Sequence, residues 1–133
     1  MQAGRPKDHS LRESTKWGKY LLISQNQELS VFTTYLQTLT GPFIFGGDLN
    51  VTPNTEIIHR LNHYAEDTFL EKHMFGAFTF KLSFPTMRLD YLFHSKDVIP
   101  KKSEVVKLKT VLSDHFPISA EFLIPKSFDQ IVK

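Results

Sequence analysis

The patterning of the chain predicts a layered α/β or α+β fold, with helices on one face of a mixed β-sheet. Three observations carry that expectation. Leu29, Phe32, Leu36 and Leu39 recur at spacings of three and four within 21–39, which makes one apolar helical stripe. A short, wholly apolar run follows at Phe43, Ile44 and Phe45. The second half then alternates apolar and polar residues in several short segments, the period of strands.

Each element has its own local reason. The helix over 21–39 stops at Thr40-Gly41-Pro42, where glycine and proline both break helical geometry. The run from Pro42 to Gly47 reads as a buried parallel strand that the two glycines end tightly. Thr52-Pro53 offers a capping hydroxyl and a first-turn proline, so a second helix is expected over 53–64, with Ile57, Ile58 and Leu61 inward. Residues 76–80 read as a strand. In 87–95, Leu89, Tyr91 and Phe93 fall on one face and Asp90 and Leu92 on the other. In 104–111, Val106 and Leu108 face inward while Lys107 and Lys109 face water. A last strand is expected over 117–124, with Ile118, Ala120 and Phe122 on one face. Residues 1–20 are polar and read as loop, 21–125 as the folded unit, and 126–133 as a polar tail.

Composition narrows the classes. The chain has 133 residues, 41% of them hydrophobic, enough for one core. Its net charge of +2 is too small to argue for nucleic acid by itself. The absence of cysteine excludes disulfides and thiolate metal sites. No apolar run nears the roughly 18 residues of a membrane span, and the first residues hold no leader-like apolar core, so a cytoplasmic location is the expectation.

Three stretches set polar groups against apolar strands: Gly46–Asn50, Arg88–Phe93 and Leu112–Ile118. Each has a plain reading. Asp48 and Asn50 shape turns well. Asp90 can face solvent or pair with its neighbour Arg88, since a carboxylate among Leu89, Tyr91, Leu92 and Phe93 is expensive to bury alone. Ser113 and Asp114 are turn formers, and a lone His115 is more often a surface histidine. The combination points elsewhere. Three carboxylates, an amide and a histidine at strand ends make a pocket for a hard cation, which Mg2+ fills with one or two carboxylates, water and substrate phosphate. Asp90 is the natural residue to hold His115 in one tautomer, Asp48 can orient and deprotonate a water, and Asn50 can donate to a phosphate oxygen.

"GGDLN", "RLDYLF" and "SDHFPI", in that order and at these separations, resemble the endonuclease/exonuclease/phosphatase superfamily, over about Gln27 to Leu123. The resemblance implies a four-layer α/β/β/α sandwich, of which this chain would be the C-terminal half. It implies a metal-dependent phosphoester hydrolase, with Asp48 positioning the attacking water, Asn50 on the scissile phosphate and Asp90 supporting His115 as the catalytic histidine. Asp114 would bind the metal, Mg2+ or Mn2+. Apart from the resemblance, Phe116 beside His115 is a candidate to line the substrate cleft. The family's N-terminal half brings an asparagine on an early strand and a metal-binding glutamate, and neither has a match here. The alternative is therefore a non-catalytic fragment or interaction domain of the same fold. An uncovered inner sheet face would invite the missing half or a second copy.

The other features have plainer readings. His59 and His63 have zinc-like spacing on one helix face but no third ligand, and read as a solvated face. The lysines of 96–109 read as a solvated strand face before a polyanion contact. Phe75, Phe78, Phe80 and Phe84 read as core.

Overall fold

A computed structural model describes residues 11–70, 77–81, 87–108 and 113–125, with side chains described from Gln25 onward. The element order is α1 (Leu11–Thr38), β1 (Ile44–Asp48), α2 (Glu56–Leu61), β2 (Glu66–Asp67), β3 (Asp90–His94), β4 (Ile99–Val105) and β5 (Ile118–Leu123). Strands β1, β3 and β2 form one sheet in that order, and β4 and β5 form a second. The result is an α+β fold, as the patterning predicts.

Helices cover one face of the three-stranded sheet because β3 alternates. Tyr91 and Phe93 are fully buried and join Leu29 of α1 with Ile58 and Leu61 of α2 in one core. Phe45 stacks on Phe93 with ring centroids 5.0 Å apart, and Phe32 meets Phe45 edge-on at 4.9 Å. Each such side chain contributes about 1.5–3 kcal/mol when fully buried. The other face of β3 carries Asp90, Leu92 and His94, and there His94 meets Phe122 of β5 at 5.6 Å.

Several expectations need correction. α1 begins at Leu11, inside the segment read as loop, so 11–20 are helical. β1 is no buried parallel strand: it pairs antiparallel with β3, and all the described ladders are antiparallel rather than mixed. Apolar character was a poor guide to burial here, because alternate residues of the run face opposite ways. Phe45 enters the core while Ile44 stays 40% exposed. The glycines do not end the strand either. The ladder continues through Asp48, and a Cβ on Gly46 would lie 2.3 Å from the Tyr91 carbonyl oxygen. Gly46 is thus required by close strand approach.

α2 is shorter than 53–64. Thr52 closes a turn by accepting from the Thr55 N–H at 3.2 Å, and Thr55 rather than Thr52 is the N-cap residue. Of the strand expected over 76–80, the described residues 77–80 show only isolated bridges from Phe80 to Met87 and His115. β4 ends at Val105, earlier than expected, because its hairpin with β5 starts upstream at Ile99. Leu108 is accordingly exposed rather than inward. Phe78 is exposed and Phe80 half-buried, so neither belongs to the core; Phe75, Phe84, His73, residues 109–111 and the tail 126–133 lie outside the described residues. No helix among the described residues is long and apolar enough to cross a membrane.

Candidate active site

The register of β1 on β3 sets Asp48 directly opposite Asp90. Acids at such positions repel, because cross-strand neighbours have Cβ atoms only about 5 Å apart. His115 lies between them. Its Nδ1 is 2.7 Å from Asp90 Oδ2, and its Nε2 is 3.9 Å from Asp48 Oδ2. Donation of Nδ1–H to Asp90 leaves Nε2 facing Asp48. The hydrogen bond that Asp90 accepts raises the His115 pKa above its ordinary 6.5; burial opposes it next in size, and the negative charges of Asp90, Asp48 and Asp114 add to the rise.

Each partner is fixed by local chemistry. Asp48 Oδ1 accepts the Asn50 N–H at 2.9 Å, an Asx turn that leaves Oδ2 toward the histidine. Asn50 takes a left-handed backbone with φ 54°, a conformation asparagine tolerates better than most residues. The turn is tied to β3 twice. Leu49 N–H donates to the Leu89 carbonyl at 2.9 Å, and the Tyr91 hydroxyl donates to the Val51 carbonyl at 2.8 Å. Burial pushes the Tyr91 hydroxyl up to about 12, so it remains a donor.

Arg88 does not pair with Asp90. It forks onto buried Asp67 with contacts of 2.8 and 2.5 Å and lies over the Tyr91 ring at 4.4 Å. That leaves the Asp90 carboxylate to His115. His115 is positioned from the other side by a turn in which its N–H donates to Ser113 Oγ at 3.0 Å, and by an edge contact with the Phe80 ring at 5.2 Å.

A pocket of about 350 Å³ opens beside the pair, lined by Lys81, Asp90, Ser113, His115, Phe116 and Ile118 among others. Of the six residues singled out in the sequence, Asp48, Asp90 and His115 offer ligand atoms within 4.8 Å of one another. Asn50 is joined to them through its backbone, and half-buried Phe116 lines the pocket. Asp114 is exposed beside His115 and is not part of that close group. His59 and His63 are absent from any metal-like group among the described residues.

Two residues of the site were missed in the sequence. Lys81 donates to the Ser113 carbonyl at 2.7 Å and sits 4.4 Å over the Phe116 ring. Thr79 is fully buried and accepts the N–H groups of Leu89 and Asp90, each at 3.1 Å. The available signal is a lone hydroxyl among Ala77, Phe78 and Phe80, which an apolar strand pattern conceals.

Fold and site define the chain first as an α+β protein with a histidine bridging two carboxylates at the end of its central ladder. The family model for the Endonuclease/Exonuclease/phosphatase family matches residues 10–115, and the chain belongs to that family. Its members are generally hydrolases of phosphoesters that use divalent metals. No curated protein and no solved structure matches the chain.

Proposed function

We propose that this chain carries the hydrolytic centre of a Mg2+- or Mn2+-dependent phosphodiesterase, endonuclease or phosphatase. The observation that carries the reading is His115 held between Asp90 at 2.7 Å and Asp48 at 3.9 Å on a pocket edge. A hard cation takes oxygen ligands and keeps waters, and two partly or fully exposed carboxylates, Asp48 and Asp114, flank His115. Either carboxylate would offer such an ion an oxygen, with water filling other positions, and the ion would neutralise charge on the phosphoryl oxygens.

The residues then divide the work. Asp48 orients a water through Oδ2 and takes its proton as the water oxygen bonds to phosphorus. The Asn50 carboxamide donates to a non-bridging phosphoryl oxygen. His115, protonated below its raised pKa, offers Nε2–H to the same phosphoryl group and gives its proton to the leaving oxygen as that P–O bond breaks. Asp90 keeps the imidazole oriented and stabilises its positive charge. Phe116 and Lys81 border the pocket in which the ester would lie.

One observation favours a second reading, a non-catalytic fragment or interaction domain. No glutamate joins the carboxylates around His115 among the described residues. The test is hydrolysis of an aryl phosphodiester and an aryl phosphomonoester by the purified chain with Mg2+, Mn2+ or EDTA. Metal-dependent turnover supports the hydrolase, and the preferred ester separates diesterase from phosphatase. Rates equal to those in EDTA support the second reading.

A further inference from the structure

We infer that Thr79 is a positioning residue, whose hydroxyl sets the Asp90–His115 pair in the geometry that catalysis needs. The inference rests on the catalytic reading of that pair. Thr79 is bonded toward both partners. Its Oγ1 accepts the N–H of Leu89 and of Asp90, each at 3.1 Å, which fixes the backbone from which the Asp90 carboxylate projects. Its carbonyl accepts the Phe116 N–H at 2.7 Å, one residue beyond His115. Its own N–H donates to the Met87 carbonyl at 3.0 Å, and the next residue, Phe80, bridges both Met87 and His115. Asp90 and His115 are far apart in sequence, and the short segment Thr79–Lys81 is hydrogen-bonded to the backbone beside each of them.

The burial pattern agrees. Thr79 is fully buried while Phe78 beside it is 46% exposed, so this segment turns its hydroxyl inward and an aromatic ring outward. Hydrophobic burial alone favours the reverse. The hydroxyl answers a need that a ring cannot, since the part-buried backbone N–H groups of Leu89 and Asp90 need an acceptor. Without it, those N–H groups must seek other partners and the carboxylate moves with them. A hydrogen bond such as the 2.7 Å contact between Asp90 and His115 weakens steeply with misalignment.

The test compares Thr79→Val, which keeps the shape and removes the acceptor, with Thr79→Ser, which keeps the hydroxyl and removes the methyl. Nuclear magnetic resonance of 15N-histidine-labelled chain at alkaline pH reads the tautomer and low-field Nδ1 proton of His115, assigned by their absence from His115→Ala. The wild-type chain and Thr79→Ser should hold the Nδ1–H tautomer with its low-field proton. Thr79→Val should lose both while its amide spectrum stays dispersed. In turnover, Thr79→Val should lower kcat about 100-fold with KM little changed, the scale of a misplaced reacting group. A retained signal in Thr79→Val, its loss in Thr79→Ser, or its absence from the wild-type chain overturns the inference. The serine variant decides even where valine prevents folding. A wild-type chain that shows the signal but hydrolyses no phosphoester contradicts the proposed function alone, because the resonance needs no substrate.

Discussion

His115 is the residue on which the electrostatics of the site converge, and its raised pKa has a definite consequence. The folded imidazole binds its proton more tightly than the unfolded one. The stability this contributes is fully present below the ordinary pKa of 6.5 and is lost as pH rises through the raised folded value. Asp90→Asn removes the largest cause, so the His115 midpoint followed by ring resonances should fall toward 6.5. The stability gap between wild type and Asp90→Asn should narrow as the solution becomes alkaline. An unchanged midpoint would show that Asp90 is not the dominant partner. At this scale the grouping of the candidate site was legible. The types and spacing of Asp48, Asp90 and His115 point to one cluster, and the structure brings the three together. What the sequence did not contain was the choice Arg88 makes, because its partner Asp67 comes from β2, which no periodicity announced.

The pairing of β1 with β3 is the element on which the site depends. Gly46 lets the strands approach, and an alanine there meets Tyr91 backbone at a distance no real Cβ occupies. Gly46→Ala should therefore destabilise by about 1–3 kcal/mol, the usual cost of overpacking, readable as a lower denaturant midpoint. It should also lower turnover, because displacing β1 carries Asp48 away from His115. Full stability and activity in Gly46→Ala would mean that β1 approaches β3 less closely. Helical periodicity found the core positions of α1 and α2, where one stripe repeats. It failed on β1, since a short apolar run carries no information about its neighbour's direction or about which side is covered. It failed again at 76–80, where backbone bridges to two separate segments leave no period to detect.

Among the described residues, the helix-covered face of the sheet holds the core, and the opposite face carries Asp48 and Asp90 of the candidate site. Asp67 and Arg88 brace that arrangement as a buried pair. Asp67→Ala should cost about 3–5 kcal/mol by leaving the guanidinium buried without its carboxylate, seen in chemical denaturation. A cost within 0.5 kcal/mol, the ordinary surface range, would mean that Arg88 finds water instead. The family was legible in three short motifs, because strand ends place chemistry-bearing residues in fixed local contexts. Sheet partnering was not, because it depends on contacts between distant segments. The most direct test of the central claim is turnover of an aryl phosphodiester by the wild-type chain, Asp48→Ala and His115→Ala with saturating Mg2+ or Mn2+. Each substitution should lower kcat by about 10²–10⁴-fold, the range for losing a positioned proton-transfer group, with folding intact. Variant rates equal to a metal-dependent wild-type rate would contradict the account, as would a wild-type rate no higher in metal than in EDTA.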